Sequence, residues 1–410
     1  MNVLVVYRGL PWPITEGYHL RILHIFRRLA ADGHQVHLLS LIHQKEQRES
    51  LPDLVAEGIF SSTHLVEMPS RKLCGRLRTN LGFDPAQSLL AEYPRFSETI
   101  RRTVRELKAS LDLNVAFVFD PWVEILFCDA RLELPSLVDI CDSRSLYYER
   151  RLESNQLSFL ERQRVKQLLT RFRGIEGFAL ANYPMATAVS SEDAEYLRAL
   201  WPSARVEVIP NGVDLDQFCV ASEAKPVPGR MILFGNMDFL PNVDAAICAA
   251  KDLLPAIQKH VREAHLVLVG TNPLPEVVAL DSLQGVEVVG AVDNLVPWIA
   301  SSQLLLAPMR FGAGIKNKVL ETFACERPVV TTPRASGALH PEAADLLRGG
   351  ETNQELVQAA CALLRDSEGA RHLGELGRKV MRRRHSWGAA AARYGELLAE
   401  LVSTTECPRE

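Results

Sequence analysis

The stretch LLLAPMRFGAGIKNKVLETFACERPVV, residues 304–330, restricts the fold more than any other part of the chain. Leu304, Leu305 and Leu306 form a short, fully apolar run, as in a strand covered on both faces of a parallel sheet. Gly312 and Gly314 interrupt it, and Val319, Leu320, Phe323 and Ala324 then recur close to the helical period. Val329 and Val330 begin another strand. Strand, glycine loop, helix and strand make one βαβ unit, so neighbouring segments must supply further parallel strands.

The same residues carry chemistry. Glycines ahead of a helix let the backbone come close to a ligand, and the free N–H groups of the first turn favour an anion. Lys316 and Lys318 stand in that turn, where a cation opposes the helix dipole. A phosphate between them removes the conflict, and Glu321, one turn on, is near enough to hydrogen-bond a sugar hydroxyl beside it. The alternative is an ordinary strand–loop–helix connection with solvated lysines. The pattern suggests a nucleotide and leaves the reaction open.

A chain of 410 residues has room for two domains. Its net charge of -4 gives no general drive towards nucleic acid, and no nucleic-acid partner is expected. The opening MNVLVVYRG lacks the order of a signal peptide, and no window holds the roughly eighteen apolar residues of a membrane span. The eight cysteines include no CxxC pair and read as reduced thiols of a cytoplasmic protein. The eleven histidines show no HExxH, so no metal site is expected.

Val3 to Tyr7 is another buried-strand run, followed by a loop ending at Gly17 and a helix from about Tyr18 to Asp32. Ile22, Ile25, Phe26 and Leu29 form its apolar stripe, Gly33 stops it, and Val36 to Leu41 supplies the next strand. GxGxxG is missing, so a dinucleotide fingerprint is not supported; Gly17 is either a turn residue or a point of close approach for a diphosphate. Thr63 to Met68, Val115 to Phe119, Ser136 to Ile140 and Ala186 to Val189 extend the pattern to a doubly wound α/β domain. Functional groups in such sheets follow the strand ends, which picks out Asp120, Asp142 and Arg144, with helix capping as the alternative for the carboxylates.

Two basic clusters lie in this half. Residues 71–78 contain Arg71, Lys72, Arg76 and Arg78 without an acid, and residues 144–173 contain eight basic residues against three acids. The second cluster follows one long helical pattern with Leu157, Leu160, Val165, Leu168 and Leu169 on its apolar side. It reads as a solvated helix face or as a contact with an anionic membrane surface.

VIPNGVDLDQF and the polar stretch after it mark a domain boundary. Asp214 and Asp216 follow a turn there and read as capping residues. A second α/β domain starts at Met231, with strands MILFG, HLVLVG, VEVVG and LLLAP and a helix from Asn242 to about Leu254 that Pro255 closes. Repeated glycines at strand ends place close-approach turns on one sheet edge, where a nucleotide would lie. Beyond Pro341 the pattern is helical, and Trp387 precedes a last helix with Tyr394, Leu397, Leu398 and Leu401.

Taken together, VIPNGVDLDQF, LFGNMDFLPNVDA, VVGAVDNLVPWIASSQLLLAPMRFGAGIKNKVLETFACERPVV and a late Ser-Trp resemble the family-4 glycosyltransferases of the GT-B fold, most closely the GxGIKNKVLE branch used in bacterial polysaccharide assembly. The resemblance implies two Rossmann-like, doubly wound parallel-sheet α/β domains facing across a cleft. Residues 1–205 would form the acceptor side, 206–228 a linker, 229–385 the nucleotide-sugar domain, and 386–410 a helix packing back on the first domain. It implies that Glu321, matching the second glutamate of E-x7-E, holds the ribose. The turn of Gly314, Ile315, Lys316 and Asn317 would meet the diphosphate, Gly17 its other side, and Gly290 to Val292 the base. Ala313 replaces the first glutamate, and Asn236 and Pro241 replace the usual Arg-x4-Lys clamp, leaving Lys316 and Lys318 to supply that charge.

The implied activity is metal-independent, cofactor-free, retaining transfer from a nucleoside-diphosphate sugar to a glycan or lipid-linked acceptor, with Asp120 on the acceptor side. A peripheral place on the inner membrane face accords with the two basic clusters. An inverting transferase, a nucleotide-sugar epimerase, a non-catalytic sugar-nucleotide binder and a scaffold are the alternatives.

Overall fold

The structure, a computed structural model, describes residues 1–14, 17–42, 48–70, 84–119, 134–153, 157–219, 226–311 and 314–406. The chain divides into two compact units, Met1–Ile209 with Ala390–Glu410, and Pro210–Ala389.

The described residues of the first unit form a seven-stranded sheet of β1 (Asn2–Arg8), β2 (Gln35–Ile42), β3 (Ser62–Glu67), β4 (Val115–Phe119), β5 (Ser136–Cys141), β6 (Met185–Ala188) and β7 (Val206–Val208). Its order is β3-β2-β1-β4-β5-β6-β7, parallel throughout, and β7 lies at the start of the stretch read above as a connector. The continuous apolar run of β1 has its cause here: Val3, Leu4, Val5 and Val6 are wholly buried because helices cover both faces. These helices are α1 (Gly17–Ala31), α2 (Leu51–Ala56), α3 (Pro85–Glu92), α4 (Phe96–Leu111), α5 (Arg144–Glu153), α6 (Phe159–Asn182) and α7 (Ser191–Leu200). The expected stripe of α1 is buried, and Phe26 meets Phe117 of β4 edge-on with ring centroids 4.9 Å apart.

The basic segment 144–173 is not one helix. Ser158 and Glu161 form a capping box that starts α6 afresh, satisfying the N–H groups a helix start leaves open. The apolar stripe of α6 begins at Val165 and runs on through Phe172, Ile175 and Ala179, whereas Leu160 is exposed.

The described residues of the second unit form a six-stranded parallel sheet of β8 (Arg230–Phe234), β9 (His265–Val269), β10 (Val286–Gly290), β11 (Leu304–Ala307), β12 (Val329–Thr331) and β13 (Arg348–Gly349), in the order β10-β9-β8-β11-β12-β13. Its helices are α8 (Leu240–Cys248), α9 (Leu254–Gln258), α10 (Pro275–Val278), α11 (Val296–Ala300), α12 (Asn317–Ala324), α13 (Pro341–Ala344), α14 (Asn353–Arg365) and α15 (Ser367–Arg384). The last helix, α16 (Trp387–Glu406), crosses the boundary between the units. In the first unit it anchors through Tyr394, whose hydroxyl donates to Asp139 Oδ2 at 3.0 Å beside the fully buried Arg21–Asp139 ion pair.

Pro255 does not close the helix after β8. A π-turn over Ala249–Leu253 shifts the bonding, with Leu254 N donating to Ala249 O, and α9 starts over with Pro255 in its first turn. A proline has no N–H to lose at that position.

Each sheet reverses its winding once, between β1 and β4 and between β8 and β11. The crevice beyond the strand ends at such a reversal is where open α/β sheets bind ligands.

Candidate functional site

The site in the second unit is floored by backbone. Gly235, Gly270 and Gly290 stand at the ends of the neighbouring strands β8, β9 and β10. Gly235 N donates to Val269 O at 3.1 Å, and Gly270 N to Gly290 O at 2.8 Å. A Cβ on Gly270 would collide with Gly235 O, so this edge admits no side chain between the strands. Gly290 has φ +79°, which glycine adopts without strain, and leads to the half-buried Val292.

Two helices start on either side of the winding reversal, α8 after β8 and α12 after β11. Asn236 opens the turn into α8, and its Oδ1 lies 3.4 Å from Asp238 N, Thr271 Oγ1 and Asn272 Nδ2. Asn242 Nδ2 donates to Asn236 O at 2.8 Å, and Asn242 Oδ1 accepts from Lys318 Nζ at 2.6 Å. A lysine of α12 thus reaches across the reversal to the start of α8. Lys318 is 8% exposed, which ends the reading of it as a solvated lysine. Burial pushes its ammonium down to about 7, Lys316 adds to the fall, and Glu321 opposes it. Arg310 and Asp244 tie the same two segments together, with Arg310 Nε 2.7 Å from Asp244 Oδ2.

At the start of α12, Gly314 has φ +69° and Ile315 is buried. Lys316 takes the N-cap position in an extended conformation, offers no side-chain cap, and donates from Nζ to Gly314 O at 3.1 Å. A helix start without a side-chain cap leaves N–H groups for another acceptor. Asn317 is the first helical residue, and Glu321 follows one turn later, its carboxyl pushed up to about 7 by burial against the pull of Lys318. The helix is held in place from behind: Gly377 of α15 leaves room for the Phe323 ring, and Arg378 donates to Ala324 O at the end of α12.

Asn236, Gly290, Gly314, Ile315, Lys316, Asn317, Lys318 and Glu321 therefore belong to one sheet edge and its two helix starts. Gly17 opens α1, the helix that follows β1 in the first unit. Asp120, like Gly312 and Ala313, lies outside the described residues. Asp142 is exposed at the end of β5, while Arg144 is engaged through its backbone, whose N–H donates to Glu176 Oε1 at 2.7 Å. Asp214 caps its own turn, accepting from Asp216 N and Gln217 N at 3.0 Å each.

Sequence reasoning missed Glu176, Asn211 and Asn242. Glu176 is fully buried, takes bonds from Ser143, Arg144 and Ser145, and is pushed up to about 7 by burial. Its one signal was an acid placed between Ile175 and Phe178 on an apolar stretch. Asn211 and Asn242 look like ordinary turn and helix-start residues, and only contacts with distant residues distinguish them. Among the described residues no cluster of three or more metal-ligating side chains occurs, and no helix is long and apolar enough to cross a membrane.

Residues 16–212 match the family described as glycosyl transferase 4-like domain, and residues 229–366 the family described as glycosyl transferases group 1. No curated protein matches the sequence. In fold the chain is similar to sucrose-phosphate synthase from Thermosynechococcus elongatus, at 18% identity and TM-score 0.69, over 98% of this chain and 100% of that one. TarM superposes with TM-score 0.72 at 10% identity, over 97% and 99% of the two chains. HepE of Anabaena, solved in complex with UDP, gives TM-score 0.65 at 14% identity, over 98% and 100%. With two parallel α/β domains and a glycosyltransferase family matched across each, the chain is a GT-B glycosyltransferase with a 4-like first domain and a group 1 second domain.

Proposed function

We propose that the chain transfers a sugar from a nucleoside-diphosphate sugar to a glycan or lipid-linked acceptor, with retention at the anomeric carbon, in cell-surface polysaccharide synthesis. The observation that carries this reading is the buried Lys318 ammonium, which joins two helix starts above three adjacent strand-end glycines. Leaving-group departure builds negative charge on the diphosphate, and a fixed cation beside oriented N–H groups stabilises that charge without a metal. Lys316, Lys318 and the backbone of Gly314 to Asn317 take the diphosphate. Glu321 takes the ribose, the turn at Gly290 to Val292 takes the base, and Asn236 lies beneath them. Gly17 and Asp120 serve from the first domain. HepE was solved with UDP-glucose, and WaaG is described as acting in lipopolysaccharide biosynthesis, which supports both the donor class and the pathway.

The test is a panel of nucleoside-diphosphate sugars, read by thermal shift and by release of nucleoside diphosphate in the presence of acceptor. At least one donor should bind and turn over; binding of none would sink the reading. The anomeric configuration of the product separates retention from inversion, and product formed without acceptor would indicate epimerisation instead. Turnover is expected to persist in excess chelator. Loss of activity restored by a divalent ion would overturn the metal-free mechanism.

The reading places the enzyme on the inner membrane face. Phe159 and Leu160 at the start of α6 are 73% and 79% exposed, and Arg164 and Lys166 are exposed along the same helix. An apolar tip beside cations suits an anionic bilayer. The other basic cluster, 71–78, lies outside the described residues. Binding to phosphatidylglycerol vesicles should exceed binding to phosphatidylcholine vesicles and weaken with salt. Charge reversal at Arg164 and Lys166 should abolish the difference, and equal recovery of the unaltered protein from both vesicles would remove the membrane from the proposal.

A further inference from the structure

Asn211 enters the second unit directly after Pro210 and is 4% exposed. Its backbone is clamped. Asn211 O accepts from His385 Nδ1 at 3.2 Å, and His385 Nε2 accepts from His340 N at 3.1 Å. Those two bonds make His385 a neutral imidazole protonated on Nδ1. Next to it, Val213 N donates to His385 O at 2.9 Å, and any side chain at Gly212 would strike the backbone of Trp387. Its main chain is thus held on residues 385–387, and the side chain extends from that fixed backbone. It ends on α12, where Asn211 Nδ2 donates to Asn317 Oδ1 at 3.0 Å.

An amide has two unlike ends. Since the oxygen of Asn317 is engaged by Asn211, the end left for a ligand is the NH2 group, a donor of two hydrogen bonds. The reverse orientation would present a carbonyl oxygen, which repels phosphate. We infer that Asn211 is a positioning residue of the diphosphate subsite: by engaging Asn317 Oδ1 it keeps the NH2 of Asn317 turned to the phosphates at the start of α12. The inference rests on the nucleotide site proposed above and adds the residue that orients one of its donors.

The experiment measures binding by titration calorimetry with UDP, GDP, ADP and dTDP, and then with the nucleoside of whichever binds best. Asn211→Asp puts two acceptors against Asn317, so its amide must reverse and aim oxygen at the phosphates. Diphosphate affinity should fall about tenfold or more, since a hydrogen bond to a charged group is lost, while nucleoside affinity stays unchanged. Asn317→Ala should show the same selective loss, and adding Asn211→Asp to it should cost little more, because the aspartate then has no amide to turn.

Equal loss of nucleoside and diphosphate in Asn211→Asp would mean a merely structural role and overturn the inference. So would wild-type affinity, or full additivity with Asn317→Ala. Should Asn211→Asp fail to fold, Asn317→Ala alone decides: without a selective loss of diphosphate affinity the inference falls. A wild-type protein that binds none of the four diphosphates would instead refute the nucleotide site itself.

Discussion

Replacing Lys318 by methionine is expected to lower kcat by about ten- to hundredfold while the donor KM moves far less. The ammonium sits in a buried place and holds Asn242 at 2.6 Å. A cation there strengthens its interaction as negative charge grows on the departing diphosphate, so its loss falls on the transition state more than on the bound donor. Methionine keeps most of the volume and removes a charge whose burial opposes folding, so the variant should remain folded. Glu321→Ala is expected to behave in the opposite way, raising KM with kcat nearly unchanged, because the ribose alters little during transfer. Steady-state kinetics on both variants separates the roles. Wild-type kcat in Lys318→Met would remove Lys318 from the machinery, and wild-type KM in Glu321→Ala would leave that carboxylate without its ribose.

Much of this site was legible in the sequence because it is built from local signals. The apolar runs of β1, β8, β9 and β11 announce strands buried on both faces, and the glycines at the ends of β8, β9 and β10 announce a bare sheet edge. The first turn of α12 could be read from Gly314, the two lysines and the apolar spacing behind them. Contacts between distant residues were not legible. Nothing near Lys318 in the chain says that it will be buried, since Asn242 lies 76 residues away. Asn317 likewise meets Asn211 across 106 residues, and no local pattern announces it. Two helix errors have a local origin instead. A capping box at Ser158 outweighs the apolar spacing of Leu157 and Leu160, and a π-turn absorbs a proline that would otherwise end a helix. In each case a few hydrogen bonds override a simpler local signal, an apolar spacing in one and a proline stop in the other.

Binding of a free nucleoside diphosphate, which carries the leaving-group charge that the intact donor lacks, is expected to weaken with rising pH above about 7, by close to tenfold per pH unit, and to take up a proton. Burial pushes Lys318 down to about 7 and Glu321 up to about 7, so above that pH the empty site holds a neutral amine and a carboxylate. An anion entering there must recharge the lysine, and the proton comes from solvent. The same two shifts set the stability of the unliganded protein. Glu321, raised from 4.5, contributes stability below 4.5 that is lost as pH rises through about 7. Lys318, lowered from 10.5, contributes stability above 10.5 that is lost as pH falls through about 7. Both therefore predict a minimum near neutrality, which a bound diphosphate should fill in by favouring the charged lysine. Calorimetric titration with the best-binding nucleoside diphosphate between pH 7.5 and 9, in buffers of different ionisation enthalpy, reads the affinity slope and the proton count together. Lys318→Met should bind more weakly at pH 7.5 and show a flat profile, because the group that must be recharged is gone. A wild-type affinity that does not change across this window would show that the lysine is already charged in the empty site, and the same slope in Lys318→Met would assign the proton to another group.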